Sequence, residues 1–134
     1  MINILIKKRT SFTDIEEEKN KVVAKNAILK LEANSKNDLE LEIIFTSPEN
    51  IRNLNKEYRG NNKPTDVLSF PQTHFKQSKL NILGSIVICP EIAKEREEPI
   101  EELIKHGILH LYGFDHETDE AKWDEAAKII NCNF

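Results

Sequence analysis

His106-Gly107-Ile108-Leu109-His110-Leu111-Tyr112-Gly113-Phe114-Asp115-His116 carries three of the chain's four histidines, spaced H-x3-H-x5-H. Residues four apart on a helix stand on one face about one turn apart, so His106 and His110 aim two imidazoles at one point. Gly113 then stops the helix, because glycine enters the left-handed conformation without steric cost. The reversal brings His116 round as a third ligand. Three histidines with an open fourth position make a catalytic zinc site, since structural sites close with four ligands and usually include thiolates. A lone histidine on a helix is more often packed or solvated. Three within eleven residues, with a helix stop between the second and third, have no comparable packing explanation. The expectation is one Zn2+ per chain, held by His106, His110 and His116.

The helix bearing this motif runs from about Pro99 to Tyr112. Ile100, Leu103, Ile104, Gly107, Ile108 and Leu111 form one apolar stripe at spacings of three and four. At about 100° per residue, His106 and His110 lie roughly 110° from the centre of that stripe. They sit on its flank, where a helix edge can open onto a cleft. Gly107 suits close packing against a sheet.

The preceding chain supplies the sheet. Residues 2–6 read as a strand. Ser11 or Thr13 is placed to cap a helix whose apolar positions continue from Ile15 to about Ala33. After the polar turn 34–38, Leu39, Leu41, Ile43 and Phe45 alternate as a half-buried strand. Ser47 and Pro48 have the residue types of an N-cap and first helical position, and Gly60 ends that helix. Val67 to Phe70 is a short strand closed by Pro71. Residues 72–81 lack periodicity and read as a connection holding His74, a surface residue rather than a fourth ligand. Gly84 to Cys89 is the most apolar strand; the highly charged stretch from Glu91 to Glu98 follows it. A last helix runs from about Asp119 to Ile130 with Trp123, Ala126, Ala127 and Ile130 inward. The order β-α-β-α-β-β-α-α has too few parallel crossovers for a doubly wound fold. It predicts an α+β class, with a mixed four-stranded sheet packed with helices.

At 134 residues the chain is read as one domain, 1–134, long enough to bury a core. Charged residues at 31% and hydrophobic ones at 39% suit a soluble protein, and no apolar run approaches the roughly 20 residues of a membrane span. At the N-terminus the apolar residues precede Lys7-Lys8-Arg9, the reverse of an export signal. Cys89 and Cys132 form no C-x-x-C and read as reduced thiols, so the expected location is cytoplasmic. The net charge of −4 argues against a generally DNA-coating protein. The charge is uneven, however. Between Asn50 and Leu80 six basic residues face Glu57 and Asp66, leaving that segment at +4 and the remainder at −8. A local basic surface suits a polyanionic substrate, and a solvated loop fits the same charges equally well.

The spacing H-x-x-x-H-x-x-G-x-x-H is shared with the metzincin proteases, which place a glutamate after the first histidine as general base. Here that position is Gly107. Zinc still lowers the pKa of bound water to about 7, but protonating a poor amine leaving group becomes harder. A phosphodiester, whose charge a metal and a nearby arginine both stabilise, fits better than a peptide.

The histidine stretch resembles the H-G-x-L-H-L-x-G-Y-D-H signature of the YbeY family, bacterial endoribonucleases of rRNA maturation. Two further blocks carry the same resemblance in the family's order. One is Leu54-Asn55-Lys56-Glu57-Tyr58-Arg59-Gly60 leading into Lys63-Pro64-Thr65-Asp66-Val67-Leu68-Ser69-Phe70-Pro71. The other is Gly84-Ser85-Ile86-Val87-Ile88-Cys89-Pro90-Glu91. The resemblance implies a zincin-like α+β fold and single-strand-specific RNA cleavage. It further implies maturation of the small-subunit rRNA 3′ end, a role in ribosome quality control, and ribosomal small-subunit proteins as partners. Arg59 matches the family's functionally important arginine, and a guanidinium in the basic segment is the right group to clamp a phosphate. An arginine exposed at a helix end is the plainer reading of the same residue. Ser85 replaces the usual aspartate, Phe114 the usual tyrosine, and the stretch between Glu91 and His106 is several residues shorter than is typical. Asp115 and Glu117 are candidates for proton transfer, or for orienting an imidazole or capping a turn. The competing reading is an RNA-binding ribosome-assembly factor with a mainly structural metal; the missing glutamate weakens a metalloprotease.

Overall fold

A computed structural model describes residues 1–32, 38–71 and 81–133 of the protein. The elements are β1 (Ile2–Arg9), α1 (Glu17–Leu31), β2 (Leu39–Thr46), α2 (Pro48–Arg59), β3 (Val67–Pro71), β4 (Asn81–Ile88), α3 (Pro90–Glu95), α4 (Ile100–Leu111) and α5 (Glu120–Ile130). The strands lie in the order β1-β2-β4-β3. β1 pairs β2 and β2 pairs β4 in parallel, whereas β3 runs antiparallel to β4 at the edge. The fold is therefore α+β with a mixed four-stranded sheet, zincin-like in setting its histidine-bearing helix against an edge strand.

Alternation along the strands divides the interior in two. Leu41, Ile43 and Phe45 of β2 and Ile86 and Ile88 of β4 face a large core shared with α1, α4 and α5. Val87 and Cys89 face the other way, packing with Leu68 and with Ile51 of α2. The histidine helix and α2 thus cover opposite faces of one sheet, and β3 is the edge that both reach. Gly107 lets α4 approach closely, since a Cβ there would stand 2.9 Å from Ile86 Cδ1.

Three helix ends follow the sequence reading closely. The Ser47 side chain accepts from the Asn50 N–H with Pro48 in the first turn, and α2 ends at left-handed Gly60. The Asp119 side chain accepts from the Lys122 N–H and caps α5.

Three departures have physical causes. β1 continues through Lys7, Lys8 and Arg9, which pair with Ile44, Phe45 and Thr46, because an edge strand tolerates exposed charge. Consequently α1 begins only at Glu17, with no side-chain cap from Ser11 or Thr13; Lys8 instead pairs with Glu17 at 3.0 Å. The charged stretch after β4 forms the short helix α3, with Pro90 opening it and buried Ala93 against the core. A helix of six residues with so few apolar ones leaves no period to read. β4 starts at Asn81 rather than Gly84, with an irregularity opposite Glu40 and Leu41. Residues 33–37, the 72–80 connection and His74 lie outside the described residues.

Candidate active site and metal centre

α4 ends by the chemistry read at Gly113. That residue has φ +89°, its N–H donates to the His110 carbonyl at 3.0 Å, and the Phe114 N–H reaches back to the Leu109 carbonyl at 3.0 Å. This pair of bonds is a Schellman closure. The following turn is held by Asp115, whose Oδ1 accepts from the Glu117 N–H at 2.8 Å and whose carbonyl accepts from the Asp119 N–H at 2.9 Å. His116 is thereby set back over α4.

The three imidazoles converge. His106 Nε2 and His110 Nε2 are 3.1 Å apart, and one nitrogen from each of the three histidines lies within 4.8 Å of the other two. Tetrahedral nitrogens at about 2.0–2.1 Å from zinc are roughly 3.3 Å apart, so the first pair is already at ligand spacing and His116 needs a modest inward turn. Beneath them lies Trp123 of α5, only 2% exposed. Its ring centroid is 5.0, 5.1 and 5.2 Å from those of His106, His110 and His116. The sequence marked Trp123 as a core residue; its service as the common floor of three histidines needs the α4–α5 crossing.

Electrostatics favour neutral, ligand-ready rings at His106 and His110. Burial, followed by the neighbouring His110 and His116, lowers the His106 pKa to about 4. Burial likewise lowers that of His110, with Arg59 contributing and Asp115 opposing. A neutral imidazole has a lone pair to give, and the donor set is all nitrogen. The residues present therefore fit a zinc ion, and His106, His110 and His116 would hold it.

Arg59, at the end of α2, belongs to the same place. Its Nη2 donates to the Ser69 carbonyl of β3 at 2.7 Å, and its guanidinium carbon lies 5.8 Å from the Phe70 ring centroid. Arg59, Ser69, His106, His110 and Asp115 line one cavity of about 370 Å3. Arg59, His106 and His110 are brought together there, with His116 completing the ligand cluster. Asp115 lines the cavity, although one of its oxygens is already engaged in the turn; Glu117 does not line it. Of the family departures, Ser85 donates to Glu42 Oε1 at 3.2 Å on the opposite sheet face, and Phe114 packs against the large core.

Two features escaped sequence reading. Ser69 anchors Arg59 through a backbone carbonyl, which no side-chain pattern reports. Behind the site, buried Asp66 takes the Val67 N–H at 2.8 Å and stands 3.5 Å from Arg96 Nη1. A hydrogen bond with Asp66, together with burial, raises the Glu98 carboxyl pKa to about 7.

The site is a histidine triad that could hold a metal ion, with Arg59 lining the same small cavity as His106 and His110. The family model described as Endoribonuclease YbeY matches residues 5–129, and the chain belongs to that family. Three relatives, each named Endoribonuclease YbeY, illustrate the similarity. The protein of Sulfurihydrogenibium sp. is 47% identical over 102 residues, covering 70% of this chain but 64% of its own length. The Sulfurovum sp. protein is 46% identical over 109 residues, 73% of this chain and 74% of that one. The Aquifex aeolicus protein is 40% identical over 119 residues, covering 81% and 79%. The solution structure of TM1509 from Thermotoga maritima aligns with a TM-score of 0.55 at 26% identity, over 98% of this chain and 87% of that one.

Proposed function

We propose that this chain, as one domain spanning 1–134, is a zinc-dependent endoribonuclease specific for single-stranded RNA. Its substrate is rRNA, its task maturation of the small-subunit rRNA 3′ end with a role in ribosome quality control, and its setting the cytoplasm beside ribosomal small-subunit proteins. The observation that carries the reading is the meeting of His106, His110 and Arg59 on one cavity, with His116 completing the donor set. The name shared by its relatives supports the reaction class. No helix among the described residues is long and apolar enough to cross a membrane.

In this reading each residue has a physical task. Arg59, braced on the Ser69 carbonyl, holds the scissile phosphate and offsets the charge that builds on its oxygens. A bound zinc supplies a Lewis-acidic charge and a more acidic water. Asp115 is the carboxylate lining the cavity that can take up a proton; the helix position beside His106 is Gly107 and offers none. Trp123 keeps the three rings in one arrangement. The cavity is small and one wall is the edge strand β3, which suits an unpaired strand better than a duplex.

The alternative, an RNA-binding assembly factor whose metal is mainly structural, draws on the packing of all three histidines against Trp123. Nuclease-free preparations of wild type, His110→Ala and Arg59→Ala, each given zinc and single-stranded rRNA fragments, separate the two. Cleavage by wild type that both substitutions abolish supports the enzyme. Equal background in all three, with stability collapsing only in His110→Ala, supports the structural metal.

A further inference from the structure

On the sheet face opposite α4, a second cavity of about 650 Å3 opens between α2 and the strands. Asn50, Asn53, Leu54, Glu57 and Tyr58 line it from α2, at the spacing of one helix face. Ile44 and Val87 make an apolar floor, and Ser85 adds an uncharged hydroxyl. Phe70 stands between this groove and the metal cavity. It meets Tyr58 edge-on at 5.3 Å between centroids, and it carries the Arg59 guanidinium at 5.8 Å. Tyr58 is 59% exposed, an aromatic ring left open to whatever enters.

We propose that this groove is a nucleobase subsite, receiving a base next to the scissile phosphate; the inference rests on the endoribonuclease reading above. Its size is that of a small-molecule site, and an apolar floor beside the exposed Tyr58 ring is what an unstacked base requires. Charge decides which portion of the nucleotide goes where. Glu57 and Arg9 leave the groove's lining without net charge, whereas Arg59, in the histidine-lined cavity beyond Phe70, offers the backbone a cation. The Glu57 carboxylate only accepts and so favours a base bearing an exocyclic amino group over uracil, whereas Asn50 and Asn53 both donate and accept and serve either. The groove thereby sets where along the strand cleavage falls.

The test uses the full-length zinc-loaded protein and a short single-stranded RNA with one cleavage point. Each flanking position is replaced in turn by an abasic ribonucleotide or by uridine. Binding is read separately on His110→Ala by fluorescence anisotropy. One flanking position is expected to lose about ten-fold in both cleavage and binding when abasic, the scale of one stacked base. Uridine there should lose less, and Glu57→Gln should shrink the difference between bases. Asn53→Trp, an exposed helix substitution that fills the groove, should make wild-type and abasic RNA equivalent. If wild type cleaves and no abasic position matters, the subsite is refuted while the nuclease stands, and a protein segment becomes the occupant. If no RNA is cut yet His110→Ala binds with the expected base dependence, the nuclease reading fails and the subsite survives.

Discussion

The Nη2 of Arg59 donates to the carbonyl of Ser69 at 2.7 Å, and this bond ties the end of α2 to the strand that walls the metal cavity. Two sheet faces are thus joined at one residue. Arg59→Ala is expected to lower kcat/KM for RNA about 10²–10³-fold, the scale of losing one preorganised charged donor. Arg59→Lys should recover only a fraction of this, because a point charge cannot brace on Ser69 and clamp a phosphate with a rigid fork. Thermal stability of both variants should stay within about 1 kcal/mol of wild type, since Arg59 is an exposed residue. Steady-state kinetics with melting curves check both effects.

Trp123 lies 5.0–5.2 Å from all three imidazole centroids. Trp123→Ala should cost about 3–5 kcal/mol by opening a cavity, and should also weaken zinc binding by freeing the histidine rotamers. Trp123→Phe should keep most stability and lose less metal affinity. Denaturant titration with competitive zinc chelation measures the two quantities on the same samples.

Two glycines rank by what surrounds them. Gly84 has φ +147°, and a Cβ there would lie 2.5 Å from the Phe70 carbonyl oxygen and 2.8 Å from Leu111 Cδ2. Gly84→Ala adds backbone strain to overlap and should cost about 3 kcal/mol or more. Gly107→Ala first meets the Ile86 side chain, at 2.9–3.0 Å, and should cost about 1–3 kcal/mol. Urea midpoints at constant m-value give the ranking.

Much of the fold is legible in the sequence because the periodic signal and the packing agree. The α4 stripe, the Ser47 cap, the start of the last helix near Asp119 and the Gly113 stop each depend on neighbours in sequence, and each appears where the pattern puts it. The three histidines are local for the same reason. What the sequence hides depends on pairing across long separations. Nothing in Leu68-Ser69-Phe70 says that the Ser69 carbonyl will meet Arg59, or that Phe70 will stand between a pair of cavities. Trp123 shows only an inward-facing indole until α5 crosses α4. Sequence pattern starts α1 too early because Lys7-Lys8-Arg9 resembles a strand's end, yet pairs with β2 at the sheet edge.

Glu98 gives a pH test of the contact behind the site. Its folded pKa is raised to about 7, first by the hydrogen bond with Asp66. A carboxyl raised in this way favours the folded state while protonated, so its contribution is full below about pH 4.5 and is lost as pH rises through 7. His106, lowered to about 4, acts oppositely in metal-free protein, its contribution being lost as pH falls from 6.5 through 4. Subtracting the curve of Glu98→Gln from that of wild type isolates the carboxyl. The difference should move against wild type by roughly 1–2 kcal/mol between pH 5 and 8, allowing for solvent screening. A flat difference would contradict the raised Glu98 carboxyl.

The decisive measurement is cleavage of a defined single-stranded rRNA fragment, with zinc bound per chain determined on the same preparation. Wild type should hold about one zinc and cut the strand; His116→Ala should lose occupancy and activity together, and Arg59→Ala should keep the zinc and lose the cutting. Full zinc retention in His116→Ala, or equal cutting by all three proteins, would contradict the account of a three-histidine centre working with Arg59 on RNA.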